Sequence, residues 1–441
     1  METVLLYVLG VVIVAVGLAL SIGLHELGHL IPAKRFGVRV AQYMIGFGPT
    51  LFSRKKGETE YGVKLIPLGG YISMAGMYPP AREGEGARTA STGFLDTLVQ
   101  DAREQSAESI EPGHEDRVFY RLPAWKRIVI MLGGPAMNLL IAIVLYTVVL
   151  CGFGITQYST TIGSVSECIA MDASQTECTA SDTAAPAAAA GIEPGDRLVS
   201  IAGTEITSWE QATEIIRANP GVELVFVVER DGTQLTLEVT PLLTERQVYD
   251  ENGEVVVDEA GEAVTEEVGF IGVGPATEKV QQPVTAVLPA VWDNSVAVGK
   301  IIVTLPQRLV QVAQAAFGGE ERDPNGPISV VGVGRLAGEI TALDEAPVAD
   351  RAAGLIQMLA ALNVALFVFN LVPLLPLDGG HVAGAVWEAI RRRIAALRGK
   401  ADPGPVDIAK LLPVTLVIVA VLATSSALLI YADIVNPVTI G

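Results

Sequence analysis

Ser21-Ile22-Gly23-Leu24-His25-Glu26-Leu27-Gly28-His29-Leu30-Ile31 closes an apolar run that begins near Val4. The run is long enough to cross the hydrocarbon core of a bilayer, about 30 Å thick, which takes roughly 20 helical residues. A span that ends in two histidines and a glutamate is unusual, because ionisable groups at membrane depth are costly and mark function. Positions four apart on a helix share a face, so His25 and His29 can reach one metal ion. Glu26, between them, then stands where a general base acts on water beside the metal. Two of the chain's four histidines are in this stretch, which weighs against satisfied interior histidines.

Three further apolar runs are of spanning length, at about residues 128–155, 352–375 and 411–435. Half of the residues are hydrophobic and 18% are charged, below the quarter expected of a soluble chain. The net charge of −19 excludes a nucleic-acid partner, which requires basic patches against phosphate. The first run lacks the basic start of a cleaved leader, since the chain opens Met1-Glu2-Thr3, and is too long for one. Basic residues near span ends favour the cytoplasmic side. Lys34, Arg35 and Arg39 follow the first run, Arg121, Lys126 and Arg127 precede the second, and Arg391, Arg392, Arg393, Arg398 and Lys400 lie between the last two. All three clusters are inside together when both termini and the long segment 156–350 are outside.

Between the first two spans, residues 36–79 are punctuated by glycines, among them Gly46, Gly48, Gly57, Gly69 and Gly70, around strand-like runs such as Gly62-Val63-Lys64-Leu65-Ile66. The reading is a β region, re-entrant and packed against the spans or an ordinary cytoplasmic hairpin. Residues 80–117, rich in Gly, Ser, Ala and Glu, read as an acidic flexible cytoplasmic insert. In the outer segment, residues 157–245 read as a compact α+β domain. The turn Gly191-Ile192-Glu193-Pro194-Gly195-Asp196-Arg197-Leu198 precedes a helical stretch at Trp209 and strands on either side of residue 231. Residues 246–276, with turns at Asn252-Gly253 and Gly261, read as a β-hairpin appendix. Residues 277–350 read as amphipathic helices on the outer membrane face, and 386–408 as a basic cytoplasmic loop. Cys168 and Cys178 flank a polar loop. They are either a disulfide, if outside, or two free thiols.

Catalytic zinc needs a third protein ligand. Glu58 lies in a Lys-rich turn and fits poorly. Asp378 closes the third apolar stretch at its inner end, where an unpaired carboxylate is costly. Gly379 and Gly380 behind it suggest a helix break that aims it inward. His381 competes for the same role.

Together, His25-Glu26-Leu27-Gly28-His29, Gly133-Gly134-Pro135-Ala136-Met137-Asn138 and Asn370-Leu371-Val372-Pro373-Leu374-Leu375-Pro376-Leu377-Asp378-Gly379-Gly380 resemble the site-2 protease family of intramembrane zinc metalloproteases, in its bacterial single-PDZ branch. The 157–245 segment resembles a PDZ domain of the rearranged bacterial type, which binds extended peptides by strand addition or serves as a steric filter. The resemblance implies a polytopic α-helical membrane protein with about four transmembrane helices, a membrane-associated β-hairpin region and an extracytoplasmic PDZ-like domain. It implies Zn2+ held by His25, His29 and Asp378, with Glu26 activating water. Asn370 is implied to hold the substrate strand or the oxyanion, and the hairpin at Gly69, Gly70 and Tyr71 to offer the substrate an edge strand. The implied substrates are single-pass membrane proteins, such as anti-sigma factors trimmed by an upstream site-1 protease, or remnant signal peptides. The implied place is the bacterial plasma (inner) membrane, with both termini extracytoplasmic and the site toward the cytoplasm. A non-catalytic scaffold of the same fold would be free to lose Glu26, which is retained. A metal transporter would show internal repeats, and none is evident.

Overall fold

The structure, a computed structural model, describes residues 2–79, 94–110, 113–169, 178, 183–248, 255–256, 263–318, 322–323, 326–344 and 346–438. The chain divides into two compact units, Met1–Phe153 with Gln282–Gly441, and Gly154–Gln281.

In the first unit, α1 (Glu2–Arg35) is apolar on every side, the signature of a helix in lipid rather than on a globular surface. Val4, Leu5, Val8, Val12 and Leu20 face outward. Its inward face carries small residues, which let helices approach closely. A side chain at Gly28 would lie 2.2 Å from the carbonyl oxygen of Gly133, and one at Gly133 would lie 2.1 Å from that of Gly28. The two glycines therefore bring α1 into backbone contact with α3 (Ala124–Thr147, continued by a π-helical stretch Val148–Phe153).

Between these helices, β1 (Val40–Lys56) and β2 (Thr59–Met74) form an antiparallel pair whose strands double back. Tyr43 pairs with both Tyr61 and Ile72, and Met44 with both Gly62 and Tyr71. The start of β1 is thus central, and the Gly70–Met74 end of β2 pairs with it along one edge. The insert expected to be flexible contains a helix, α2 (Phe94–Glu108). The Oγ of Ser106 accepts from the Tyr78 N–H at 3.0 Å, and that of Ser109 from the Gly76 N–H at 3.1 Å. These bonds tie the helix to the end of β2, a local order that composition alone does not reveal.

The second unit holds β3 (Ile155–Val165), the short pair β4 (Cys168–Ile169) and β5 (Thr183–Ala184), α4 (Pro186–Ala189), β6 (Arg197–Ile201), β7 (Thr204–Glu205), α5 (Trp209–Ala218), β8 (Leu224–Arg230), β9 (Thr233–Val239), β10 (Leu242–Gln247), β11 (Thr265–Phe270) and β12 (Val273–Val280). The main sheet runs β12-β3-β6-β8-β9, with β7 on β6, and β10 pairs with β11. Its core includes Leu198, Ile201, Ala212, Ile216, Phe226 and Val228. Ser208 caps α5 by accepting from the Gln211 N–H. In the turn before β6, buried Asp196 accepts from the Glu193 N–H at 2.9 Å and from Arg230 at 2.7 and 2.8 Å. The Arg230 guanidinium holds its carboxyl below the usual range. Cys168 and Cys178 are joined as a disulfide. The turns expected at Asn252-Gly253 and Gly261 lie outside the described residues.

The chain returns to the first unit through α6 (Val287–Gly318), α7 (Val330–Ala342), α8 (Val348–Leu371), α9 (Asp378–Leu397) and α10 (Leu412–Val435). Among the described residues, five helices are long and apolar enough to cross a membrane: α1, α3, α6, α8 and α10. The sequence predicts four spans and lays residues 277–350 on the outer membrane face, because the pattern at 284–317 is amphipathic. Part of the expected basic loop, residues 386–397, is helical. Arg391, Arg392 and Arg393 belong to α9, and only the residues beyond Leu397 are loop. Fully buried Glu388 anchors that helix. It pairs with buried Arg127 of α3 at 2.6 Å, an ion pair without the alignment of a hydrogen bond, and accepts from the Val406 N–H at 2.9 Å.

Candidate metal centre

His25 and His29 lie one turn apart on the face of α1 that meets α3. The Nδ1–H of His29 donates to the Ile130 carbonyl at 2.8 Å, and a carbonyl can only accept, so Nε2 of His29 carries the free lone pair. Nδ1 of His25 meets Oδ1 of Asn138 at 2.5 Å. The two Nε2 atoms stand 3.2 Å apart. Oδ2 of Asp378 lies 3.3 Å from each of them.

Asp378 arrives from a different part of the chain. The helix α8 ends at Leu371, residues 372–377 turn the backbone, and Asp378 opens α9. The glycines behind it do not break a helix. They form the first turn of α9, where a side chain on Gly379 would lie 2.3 Å from the Val372 carbonyl oxygen. Their smallness lets α9 start directly against the turn.

These three atoms fit a zinc ion. Four ligands at about 2.0–2.1 Å in a tetrahedron are separated by roughly 3.3–3.4 Å, close to the spacings found here. Three lone-pair donors this near one another repel unless a cation lies among them. Asp378 Oδ2 is buried and receives no hydrogen bond, as expected of an atom meant for a metal. Among the described residues, His25, His29 and Asp378 are the one group of this kind. His381 lines the same pocket but does not join the group. Glu58 is remote from it in role: both its oxygens accept from Arg117 at 2.8 Å, which holds its carboxyl below the ordinary range.

The pocket encloses about 340 Å³. Glu26, Asn370, Gly70, Tyr71 and Ile72 line it beside the donor group. Gly70 passes directly over the general-base candidate, and a side chain there would lie 2.9 Å from Glu26 Cγ. The Gly70–Ile72 edge of β2 therefore runs along the site. Asn370 donates to Leu366 O at 3.0 Å within its own helix. Gly69 is not among the lining residues. It holds φ at +124° against the Phe47 ring, a conformation open to glycine.

Sequence reasoning missed two contributors. A side chain at Gly134 would lie 2.3 Å from His29 Nε2 and 2.7 Å from His25 Nε2, so only glycine fits beneath the imidazoles. Asn138, quoted in the motif without a role, touches His25. Its signal was a polar residue four places beyond Gly134 inside an apolar span.

The chain matches peptidase family M50 over residues 13–412. It is 35% identical over 439 residues to the zinc metalloprotease Rip1 of Mycobacterium tuberculosis, covering 98% of this chain and 99% of the relative. Against Rip1 of Mycolicibacterium smegmatis the identity is 34%, over 99% and 100% of the two chains. Against the metalloprotease MmpA of Caulobacter vibrioides it is 30%, over 85% of each.

Proposed function

Because this chain belongs to peptidase family M50, the site-2 protease family, and is a multi-pass membrane zinc metalloprotease, we propose that it cuts single-pass membrane proteins within or beside the bilayer, with His25, His29 and Asp378 as zinc ligands and Glu26 as general base. The convergence of His25 Nε2, His29 Nε2 and Asp378 Oδ2, 3.2–3.3 Å from one another, supports the assignment. Bound zinc supplies an acidified water and a polarised carbonyl. Glu26 takes the proton from the attacking water and returns it to the leaving nitrogen.

A substrate helix must unwind before it is cut, because its peptide bonds are shielded by their own hydrogen bonds. The Gly70–Ile72 edge, paired to β1 on its other side, is suited to accept the unwound strand. The Asn370 side chain, at the pocket wall, is suited to hold that strand or the developing oxyanion.

The second unit fits a PDZ-like domain that admits only trimmed substrates. A pocket of about 320 Å³ between α5 and residues 268–273 supports it. The substrates are then anti-sigma-factor-like proteins already cut by an upstream protease, or remnant signal peptides. The charge distribution of the loops supports a bacterial plasma-membrane orientation with both termini outside and the site toward the cytoplasm.

The test is co-expression with a tagged single-pass substrate trimmed to a short outer stub, comparing wild type with Glu26→Gln. Loss of product with zinc content and expression intact is expected. Equal product from both would assign the cut to another enzyme.

A further inference from the structure

Behind the proposed metal site, a chain of polar side chains crosses the apolar interior from helix to helix. Asn138 on α3 and Asn363 on α8 are fully buried, and Ser21 on α1 is nearly so. Around them the packing is apolar: Val14, Ala142, Ala360 and Val364. Polar groups at such depth are costly unless satisfied, and each of these is bonded.

The bonds have a single consistent direction. The Leu359 carbonyl can only accept, so the group of Asn363 that meets it at 2.8 Å is Nδ2. That same nitrogen donates to Ser21 Oγ at 2.9 Å, while the Ser21 hydroxyl donates to Gly17 O at 3.0 Å. The Oδ1 of Asn363 is thereby turned to Asn138 and accepts from its Nδ2 at 3.0 Å. The Oδ1 of Asn138 is left to face His25, and can only accept from Nδ1–H. A proton on Nδ1 leaves the Nε2 lone pair for a metal. Were the Asn138 amide reversed, its Nδ2 would donate to Nδ1, the proton would move to Nε2, and the ligand atom would be blocked.

We propose that Asn138 and Asn363 are positioning residues that act in series: Asn363 sets the orientation of the Asn138 amide, and Asn138 sets the tautomer of His25. Ser21 closes the series on the α1 backbone. The proposal rests on His25 being a zinc ligand, as assigned above.

The test measures zinc affinity of the purified full chain in detergent by competition with a chelator, with thermal unfolding followed in parallel. Loss of a partner behind a metal-bound histidine typically weakens metal binding by about 10–100-fold, and Asn138→Leu is expected to fall in that range. Asn138→Asp, whose carboxylate accepts from Nδ1–H in either rotamer, is expected to restore affinity close to wild type. Asn363→Leu is expected to weaken zinc in the wild-type background and to have no further effect in the Asn138→Asp background, where there is no amide left to orient.

Wild-type zinc affinity in Asn138→Leu, or equal weakening by Asn363→Leu in both backgrounds, would reduce the series to interhelical packing. Should Asn138→Leu fail to fold, the paired Asn363→Leu comparison decides alone. His25→Ala separates the two levels. If it binds zinc like wild type, the ligand assignment falls and the series with it. If it loses zinc while Asn138→Leu does not, only the series falls.

Discussion

At the scale of single residues, the site is shaped as much by absent side chains as by present ones. Gly134 is the clearest case, because the space a Cβ would take is filled by both imidazoles. Gly134→Ala has to displace His25 and His29 by a good fraction of an ångström, and misplacements near 1 Å cost on the order of 100-fold in rate. We expect at least that loss, with zinc content reduced, when cleavage and bound metal are measured together. Gly152→Ala, in the π-helical stretch that continues the same helix, where an added Cβ would meet open space, is expected to leave both unchanged. Equal behaviour of the two variants would mean that α3 gives way easily. His25, Glu26 and His29 were legible as a spacing, because one helical turn is a local property. Asp378 was legible only as a carboxylate with no cheap place to be. The contact of Asn138 with His25, 113 residues away, has no local signature.

Among the elements, α9 carries Asp378, the third ligand proposed beside the two histidines of α1, so whatever holds α9 holds the proposed site. Its anchor is Glu388, buried against Arg127 and touched from outside by Arg392, which is 40% exposed. Breaking a buried pair by removing one partner costs about 3–5 kcal/mol, since the other charge stays buried, whereas an exposed partner is worth about 0–1 kcal/mol. Glu388→Ala is therefore expected to lower the unfolding midpoint sharply in detergent, and Arg392→Ala to lower it little. Similar small shifts for both would show that the α9–α3 contact does not depend on this charge. The sequence predicts a basic loop at residues 386–408 because its Arg and Lys cluster lies between the last two apolar runs. The arginines are helical because α9 continues past its anchor: Glu388 is fixed by Arg127, and Arg392, one turn on, pairs with it across that turn.

For the whole molecule, the contacts of α6 bear on how many helices cross. The α6 helix qualifies by length and composition, yet its two ends meet the same ends of other helices. Near its start, Gln282 N–H donates to Leu150 O, beyond the C-terminus of α3. Near its finish, Phe317 stacks on Tyr431 at 5.1 Å and Ala315 O accepts from Asn436, at the C-terminus of α10. Both α3 and α10 set out from the Glu388 side, since Arg127 and Val406 converge on that residue. These contacts support an α6 that enters and leaves on one face, and a count of four spans. In a variant lacking Cys151, a membrane-impermeant thiol reagent added outside cells is expected to label both Gln282→Cys and Gly318→Cys. Labelling of one alone would make α6 a fifth span and put the chain termini on opposite sides.

The sequence by itself determined the class of the protein, the spans with strong hydropathy and the histidine pair with its glutamate. These follow from composition and from the 3.6-residue period, which need no knowledge of distant neighbours. The PDZ-like reading and the substrate class came from motif resemblance. Only the tertiary structure decided which carboxylate meets the histidines, why glycine must stand at 70 and 134, and that a line of buried amides ends on His25. Those facts depend on which helices touch at which depth. In an apolar bundle, where most side chains are interchangeable to lipid, that is settled by the few small and polar residues at the crossings.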